Sequence, residues 1–263
     1  MLLCLDIGNS HIHAGVFIEK SCIQQFRMTT HSENLTSDQI GIFLRQAIRE
    51  NGYDPKAILS VAIASVVPTI NYSLCSAIIK YFKVEPFILQ AGVKTGLKIK
   101  YPNPKEIGSD MIAGAIAAIE NFPNRNLIVI DMGTATVITP ITSKGEFLGA
   151  VIMAGVKSSL TTLSSKTSQL PNVNISPVET IIGKTTAHCI QSGVYYGTIG
   201  SLKEIISQII SHLSWEVDET IIIASGGYSK VFENESIFNF IIPELVLQGI
   251  RITYEKNMPI LTH

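Results

Sequence analysis

Two stretches about half a chain apart share one order: LCLDIGNSHIHAGVF over residues 3–17 and LIVIDMGTATVITPI over 127–141. Each is an apolar strand ending in aspartate, followed by any residue, a glycine, small polar residues and a second strand. A carboxylate at the mouth of a buried strand does little for stability, because its charge must be solvated, paired or used. The repetition predicts an internal duplication: two α/β units, each opening on a β-hairpin whose turn holds Asp-x-Gly.

The rest of the chain alternates accordingly. LLCLDI, HIHAGVFI and CIQQFRMT read as three strands separated by the turn residues GNS and EKS. Residues 37–51 carry apolar residues at helical spacing behind Ser37-Asp38 as a cap. A strand in AILSVAIASVV stops at Pro68; a helix over 71–82, a strand over 85–90 and a strong helix over 111–122 follow, the last with Gly108-Ser109-Asp110 before it. The order then recurs: strands in LIVIDMG, TATVITPI and EFLGAVIM, a helix from about Lys157, a loop with Pro171 and Pro177, a long helix over 185–213 and the strand TIIIASGG. Three strands, then helix, strand and helix, give a mixed sheet. The expected domains are 1–120 and 121–263, with a cleft between them.

Glycine in a tight turn lets the main chain approach an anion closely, with its amides as donors. Asn9, Ser10, Thr134 and Thr136 add side-chain donors. Two such turns facing one another grip a polyphosphate from both sides. The carboxylates of Asp6 and Asp131 repel phosphate, so each needs a cation between itself and the ligand. For a single turn, plain hairpin chemistry is the simpler reading; the pair favours phosphate.

The chain resembles the actin, sugar-kinase and heat-shock chaperone ATPase superfamily, two ribonuclease-H-like domains each built on a mixed sheet with flanking helices. Within it, the sequence is similar to type III pantothenate kinases. DIGNS (6–10), SVVP (65–68), YPNPKEIGSD (101–110), DMGTAT (131–136), GAVIMAG (149–155), LP (170–171), IGKTTAHCIQSG (182–193), SGG (225–227) and LVLQGIRITYEKN (245–257) carry the likeness, in family order and spacing. The resemblance implies transfer of the ATP γ-phosphoryl group to the 4′-hydroxyl of pantothenate, the first committed step toward coenzyme A. It implies an ATP phosphate loop formed by Asp6, Ile7, Gly8, Asn9, Ser10, His11, Ile12 and His13, with Asp6 orienting magnesium through water. It implies Asp131 as ligand of a monovalent cation, potassium or ammonium, and Thr134 as a nucleotide-phosphate contact. It implies a pantothenate site of Tyr101, Gly108, Ser109, Asp110 and Met111, with Asp110 as base, and Thr186 reaching a substrate across a homodimer interface.

The residues themselves bear on Asp110. A carboxylate opening an apolar helix lies near the positive helix end, which is expected to lower its pKa and keep it ionised at neutral pH. Ser109 or Asp110 as a plain helix cap is the simpler local reading; the resemblance gives Asp110 both jobs. Two positions depart from the family pattern: Met111 stands where arginine is usual, removing a bidentate clamp for an anionic substrate, and Ala154 replaces a proline before Gly155.

Other motifs carry less. GKTT (183–186) resembles the tail of a P-loop, but the earlier glycine falls at Val178. His11 and His13 alternate onto one strand face without a third metal ligand nearby in sequence, which reads as a partly exposed strand. Ser225-Gly226-Gly227 reads equally as an adenosine-side turn and as a generic strand-to-helix turn. Tyr195 and Tyr196 read as core or dimer-interface aromatics.

A formal net charge of −1, with no basic run, argues against nucleic-acid or anionic-membrane binding. Asp6 interrupts the apolar start, no apolar run reaches the roughly 18 residues of a membrane span, and the four cysteines lack a CxxC pair. A cytoplasmic protein with reduced thiols and no zinc is the expectation. Two other functions stay open: a kinase for another small hydroxylated substrate, encouraged by Met111, and a non-catalytic transcription accessory relative. The retained Asp6, Asp110 and Asp131 separate the last from the enzymes.

Overall fold

The computed structural model describes residues 1–30, 35–166 and 170–258. Strands β1 (Leu2–Ile7), β2 (His11–Ile18) and β3 (Ser21–Thr29) form an antiparallel meander. Helix α1 (Ser37–Glu50) is capped by Thr36 instead of the expected Ser37-Asp38. The Thr36 hydroxyl accepts from the Gln39 amide while the Gln39 side chain accepts from the Thr36 amide, a reciprocal box that satisfies two end donors. Asp38 is left to accept from Lys80 and Tyr81. Strand β4 (Ser60–Ser65) stops short of Pro68, which opens α2 (Pro68–Phe82) in the first turn, where the missing N–H has no helical partner to lose. Two short strands, β5 (Phe87–Ile88) and β6 (Lys98–Ile99), precede α3 (Ser109–Asn121).

The second series is β7 (Asn126–Met132), β8 (Ala135–Ile141), β9 (Glu146–Phe147), β10 (Val151–Ala154), α4 (Val156–Lys166), α5 (Thr186–Leu213), β11 (Thr220–Ser225), β12 (Phe240–Ile241) and α6 (Leu245–Asn257). The segment EFLGAVIM, expected as one strand, is two. Both pieces pair with β8, but Gly149 adopts a φ of +136° that no extended strand allows, and the ladder breaks there.

The chain groups into two compact units. The first comprises Met1–Leu97, Pro102–Glu120 and the segment from Glu244; the second comprises Lys98–Tyr101 and Asn121–Pro243. One passage between the units lies at Glu120–Asn121, and α6 belongs to the first unit.

In the first unit the sheet order is β3-β2-β1-β4-β5, with β4 parallel to β1 and β5 parallel to β4. One face takes Leu3, Leu5, Ile7, Ile12, Ala14 and Val16 against the apolar stripes of α1 and α2. Helix α6 covers the other face: Arg251 lies over the Phe17 ring, 5.9 Å to the centroid, and the Tyr254 hydroxyl meets Ser60 Oγ at 2.8 Å. Helices α3 and α6 touch backbone to backbone, since a β-carbon at Gly249 would clash with the main chain of Ala113.

In the second unit the order runs β12-β11-β7-β8-β9-β6, with β10 also on β8. The meander β7-β8-β9/β10, with β11 and β12 parallel on the far side of β7, repeats the arrangement of the first sheet. The duplication read from the two Asp-x-Gly stretches is therefore a duplication of topology. Ile128, Ile130, Met132 and Ile138 meet Ile190, Tyr195, Ile199, Leu202 and Ile206 of α5 in its core. No helix among the described residues is long and apolar enough to cross a membrane.

Candidate active site

In the first unit the chain leaves β1 through Asp6 and Ile7 and turns over Gly8-Asn9-Ser10-His11. The Gly8 amide donates to the His11 carbonyl at 3.0 Å. A second contact fixes the turn from outside: the Thr30 hydroxyl donates to the Gly8 carbonyl at 2.8 Å, and the Thr30 amide to the Ser10 carbonyl at 2.9 Å. Asn9 and His11 are exposed and Asp6, Gly8 and Ser10 half-buried, so a polar loop faces outward from a pinned base. Thr30 escaped the sequence reading because a threonine at a strand end gives no local signal.

The two histidines part company. His11 is exposed, whereas His13 is buried and its Nε2 lies 3.1 Å from Gln25 Oε1. Burial, with the Arg27 charge beside it, pulls the His13 pKa from 6.5 down to about 4, so the ring is neutral at pH 7. Side by side in register, Asp6, His13 and Arg27 share one face of the sheet.

The start of α3 stands next to this turn. The Ile7 carbonyl accepts from the Val66 amide at 3.0 Å, and the Ser65 carbonyl accepts from the Ser109 hydroxyl at 3.1 Å. Ser109 thus spends its hydroxyl on β4 and does not cap the helix. Asp110 Oδ1 accepts from the Met111 amide at 2.7 Å, taking up one of the free first-turn donors. A β-carbon on Gly108 would clash with that carboxylate; glycine is needed for the side chain to fold back. The expected lowering of the Asp110 pKa is reversed. Burial raises it, and the hydrogen bonds from the Met111 amide and from its own amide only partly offset that rise. Helix-end donors stabilise the anion, but desolvation costs more.

In the second unit Asp131, next to last in β7, is in register with Val137 and Ser225. Gly226, at φ +84°, lies against the Asp131 carboxylate and the Met132 backbone, leaving no room for a β-carbon. The sequence left the SGG turn undecided; its middle glycine backs the carboxylate. The Gly133 amide closes on the Ala135 carbonyl, and the Thr134 carbonyl accepts from the Gly155 amide and the Ser158 hydroxyl. Ala154, in place of the usual proline, ends β10 immediately before this contact. Thr136 does not serve as an outward donor: it is 1% exposed, pairs with Met132 in register, and its hydroxyl is buried without a partner.

Tyr101 belongs to the second unit, its ring edge 3.9 Å from where a β-carbon on Gly149 would stand. Met111 is half-buried in the first turn of α3 and Thr186 exposed in the first turn of α5. In GKTT, Thr185 caps α5 by accepting from the His188 amide at 3.2 Å, which accounts for the motif without a P-loop. Tyr195 is a core residue, stacked on Phe232, with its hydroxyl on Glu235 Oε1 at 2.6 Å. Tyr196 donates to the Val178 carbonyl at 3.1 Å. Cys4 is buried, while Cys189 is exposed. No cluster of three or more metal-binding His, Cys, Asp or Glu side chains exists among the described residues.

Comparison with known proteins agrees with this layout. The chain is 49% identical over 257 residues to a type III pantothenate kinase of Legionella pneumophila (strain Paris), covering 98% of this chain and 99% of the relative. Among solved structures it aligns with a candidate 2-dehydro-3-deoxygalactonokinase from Sinorhizobium meliloti over 100% of this chain and 99% of that one, at 11% identity and a TM-score of 0.65. It also aligns with MreB 5 of Spiroplasma citri over 97% and 96% of the two chains, at 13% identity and a TM-score of 0.51. The fold is therefore that of the actin-like ATPases and sugar kinases. Residues 2–208 match the profile of one branch throughout, and with that match the chain is a member of the type III pantothenate kinase family.

Proposed function

We propose that Asp110 is the general base, and the turn from Asp6 to His13 the nucleotide-phosphate loop, of an ATP-dependent pantothenate kinase. As a member of its family the chain phosphorylates pantothenate to 4′-phosphopantothenate, the first step toward coenzyme A, using ATP with a divalent metal. The observation that carries the residue roles is the bond series in the first unit. Ile7 holds Val66, Ser65 holds Ser109, and Asp110 follows, so a carboxylate and the Asp-x-Gly turn occupy adjoining strand ends.

Phosphoryl transfer asks chiefly for positioning and charge neutralisation. Asp110 takes the proton from the pantothenate 4′-hydroxyl; its raised pKa makes it a stronger base than an ordinary aspartate. Outward amides and the Asn9 and Ser10 side chains bind phosphate oxygens, with Thr134 as a further contact. Magnesium, when bound, offsets the charge that Asp6 would otherwise set against the phosphates. Asp131 is assigned to a monovalent cation, potassium or ammonium: its carboxylate is an oxygen donor, and Gly226 packs against it too closely to admit a β-carbon. Tyr101, Gly108, Ser109 and Met111 are the residues assigned to pantothenate. Without an arginine at 111, Met111 offers the substrate only apolar contact.

The protein acts as a homodimer in this reading, with Thr186 contributing to the partner's substrate site. Support comes from apolar side chains on the second unit left in solvent: Ile152 at 64%, Ile181 at 66% and Ile182 at 76% exposure. An ADP-release assay with magnesium and ammonium, comparing pantothenate with glycerol and simple sugars, tests the substrate. Release with pantothenate alone is expected; equal release with the others contradicts it.

A further inference from the structure

Nothing in the roles assigned so far uses the Ser65 hydroxyl or Asn71. Ser65 is the last residue of β4 and Asn71 lies in the first turn of α2, both half-buried in the first unit. The Ser65 hydroxyl donates to Asn71 Oδ1 at 2.6 Å and accepts from the Val67 amide at 3.2 Å. Its carbonyl accepts from the Ser109 hydroxyl at 3.1 Å. Three elements therefore converge on one serine: α2 through Asn71, the β4–α2 loop through Val67, and α3 through Ser109.

The arrangement bears on Asp110 more than on the fold at large. Helix α2 is held to the sheet by Ile70, Leu74, Ala77, Ile78 and Phe82, and its cap residue Val67 offers no side-chain bond. The Ser65 hydroxyl thus adds little to burial. It defines where the loop Ser65-Val66-Val67 lies, and that loop is the surface on which α3 begins. The Ser109 hydroxyl ties α3 to the Ser65 carbonyl at the start of that loop, and Gly108 and Asp110 flank Ser109, so the loop bears on the backbone against which Asp110 folds.

We propose that Ser65 and Asn71 are positioning residues for Asp110, fixing the first turn of α3 through the Asn71–Ser65–Ser109 hydrogen bonds. This rests on the reading of Asp110 as base. Neither residue touches the reacting atoms; each acts by holding the base where a displacement of about 1 Å already slows transfer.

The test compares Ser65→Ala, Asn71→Ala and Ser65→Thr with the unaltered full-length protein. Measurements are kcat, KM for pantothenate, KM for ATP and the thermal midpoint. Both alanine variants are expected to lose about tenfold or more in kcat, with each KM within about twofold. The threonine variant, which keeps the hydroxyl, recovers most of the rate. Unchanged kcat in both alanine variants, or a loss that threonine does not restore, overturns the proposal. Should Ser65→Ala fail to fold, Asn71→Ala removes the same bond from its α2 end and decides alone. Asp110→Asn is run alongside: normal turnover there refutes Asp110 as base, whereas a dead Asp110→Asn with fully active alanine variants refutes only the positioning role.

Discussion

The carboxylate of Asp110 folds back onto Gly108, so closely that the glycine has no space for a β-carbon. Gly108→Ala forces that side chain off the Met111 amide or shifts the first turn of α3. The expected result is a folded protein with kcat reduced about a hundredfold and ATP binding retained. Steady-state kinetics alongside nucleotide-binding calorimetry checks it; a variant with normal kcat shows that the folded-back rotamer does not matter.

Helix α3 is also set from its middle, where Gly249 of α6 meets the Ala113 backbone. Gly249→Ala has to push two helices apart. A stability loss of about 2–4 kcal/mol is expected from overpacking at a buried backbone contact, read as a lower urea midpoint. Turnover per folded molecule falls as well, because α3 carries Asp110.

His13 predicts a pH dependence of stability. Its pKa is about 4 in the folded chain against 6.5 in the unfolded one. Between those values the unfolded state binds the extra proton, so stability rises with pH across the window and is lost as pH falls from about 6.5 to about 4. The loss amounts to as much as about 3 kcal/mol. His13→Leu flattens that part of the profile relative to the unaltered protein. Parallel profiles for the two proteins would show that His13 keeps its ordinary pKa in the fold.

Gly226 backs the Asp131 carboxylate at a φ of +84°. In Gly226→Ala the methyl group has no room against that carboxylate and displaces it. The ammonium or potassium concentration for half-maximal rate is expected to rise at least about tenfold, with KM for pantothenate little changed. A titration of rate against each cation measures it; an unshifted midpoint removes Asp131 from cation binding.

Much of the fold was legible because the informative signals were local and repeated. Strand, Asp-x-Gly and strand at two places marked the meanders, Pro68 marked a strand end and Thr185 a helix start. What escaped depended on contacts between distant residues. Nothing in the sequence joins Thr30 to Gly8, Ser65 to Ser109 or Gly226 to Asp131, since each contact forms only when elements distant in the chain pack together. The α1 cap was misread by one residue because Ser37 and Asp38 are good caps too, and only the Gln39 side chain decides for Thr36. The pKa of Asp110 was misjudged in sign, as position at a helix end is visible in sequence while the depth of burial is not. At the candidate site the residue types were readable, but their supports were not.

The most direct measurement is the turnover of Asp110→Asn with ATP, magnesium, ammonium and pantothenate, followed as 4′-phosphopantothenate formed. Asparagine keeps the shape and the bond from the Met111 amide but cannot take the proton. A fall of about two to four orders of magnitude in kcat, with the thermal midpoint unchanged or higher as a buried charge is removed, is the expected outcome. A rate within a few fold of the unaltered protein would contradict Asp110 as the base.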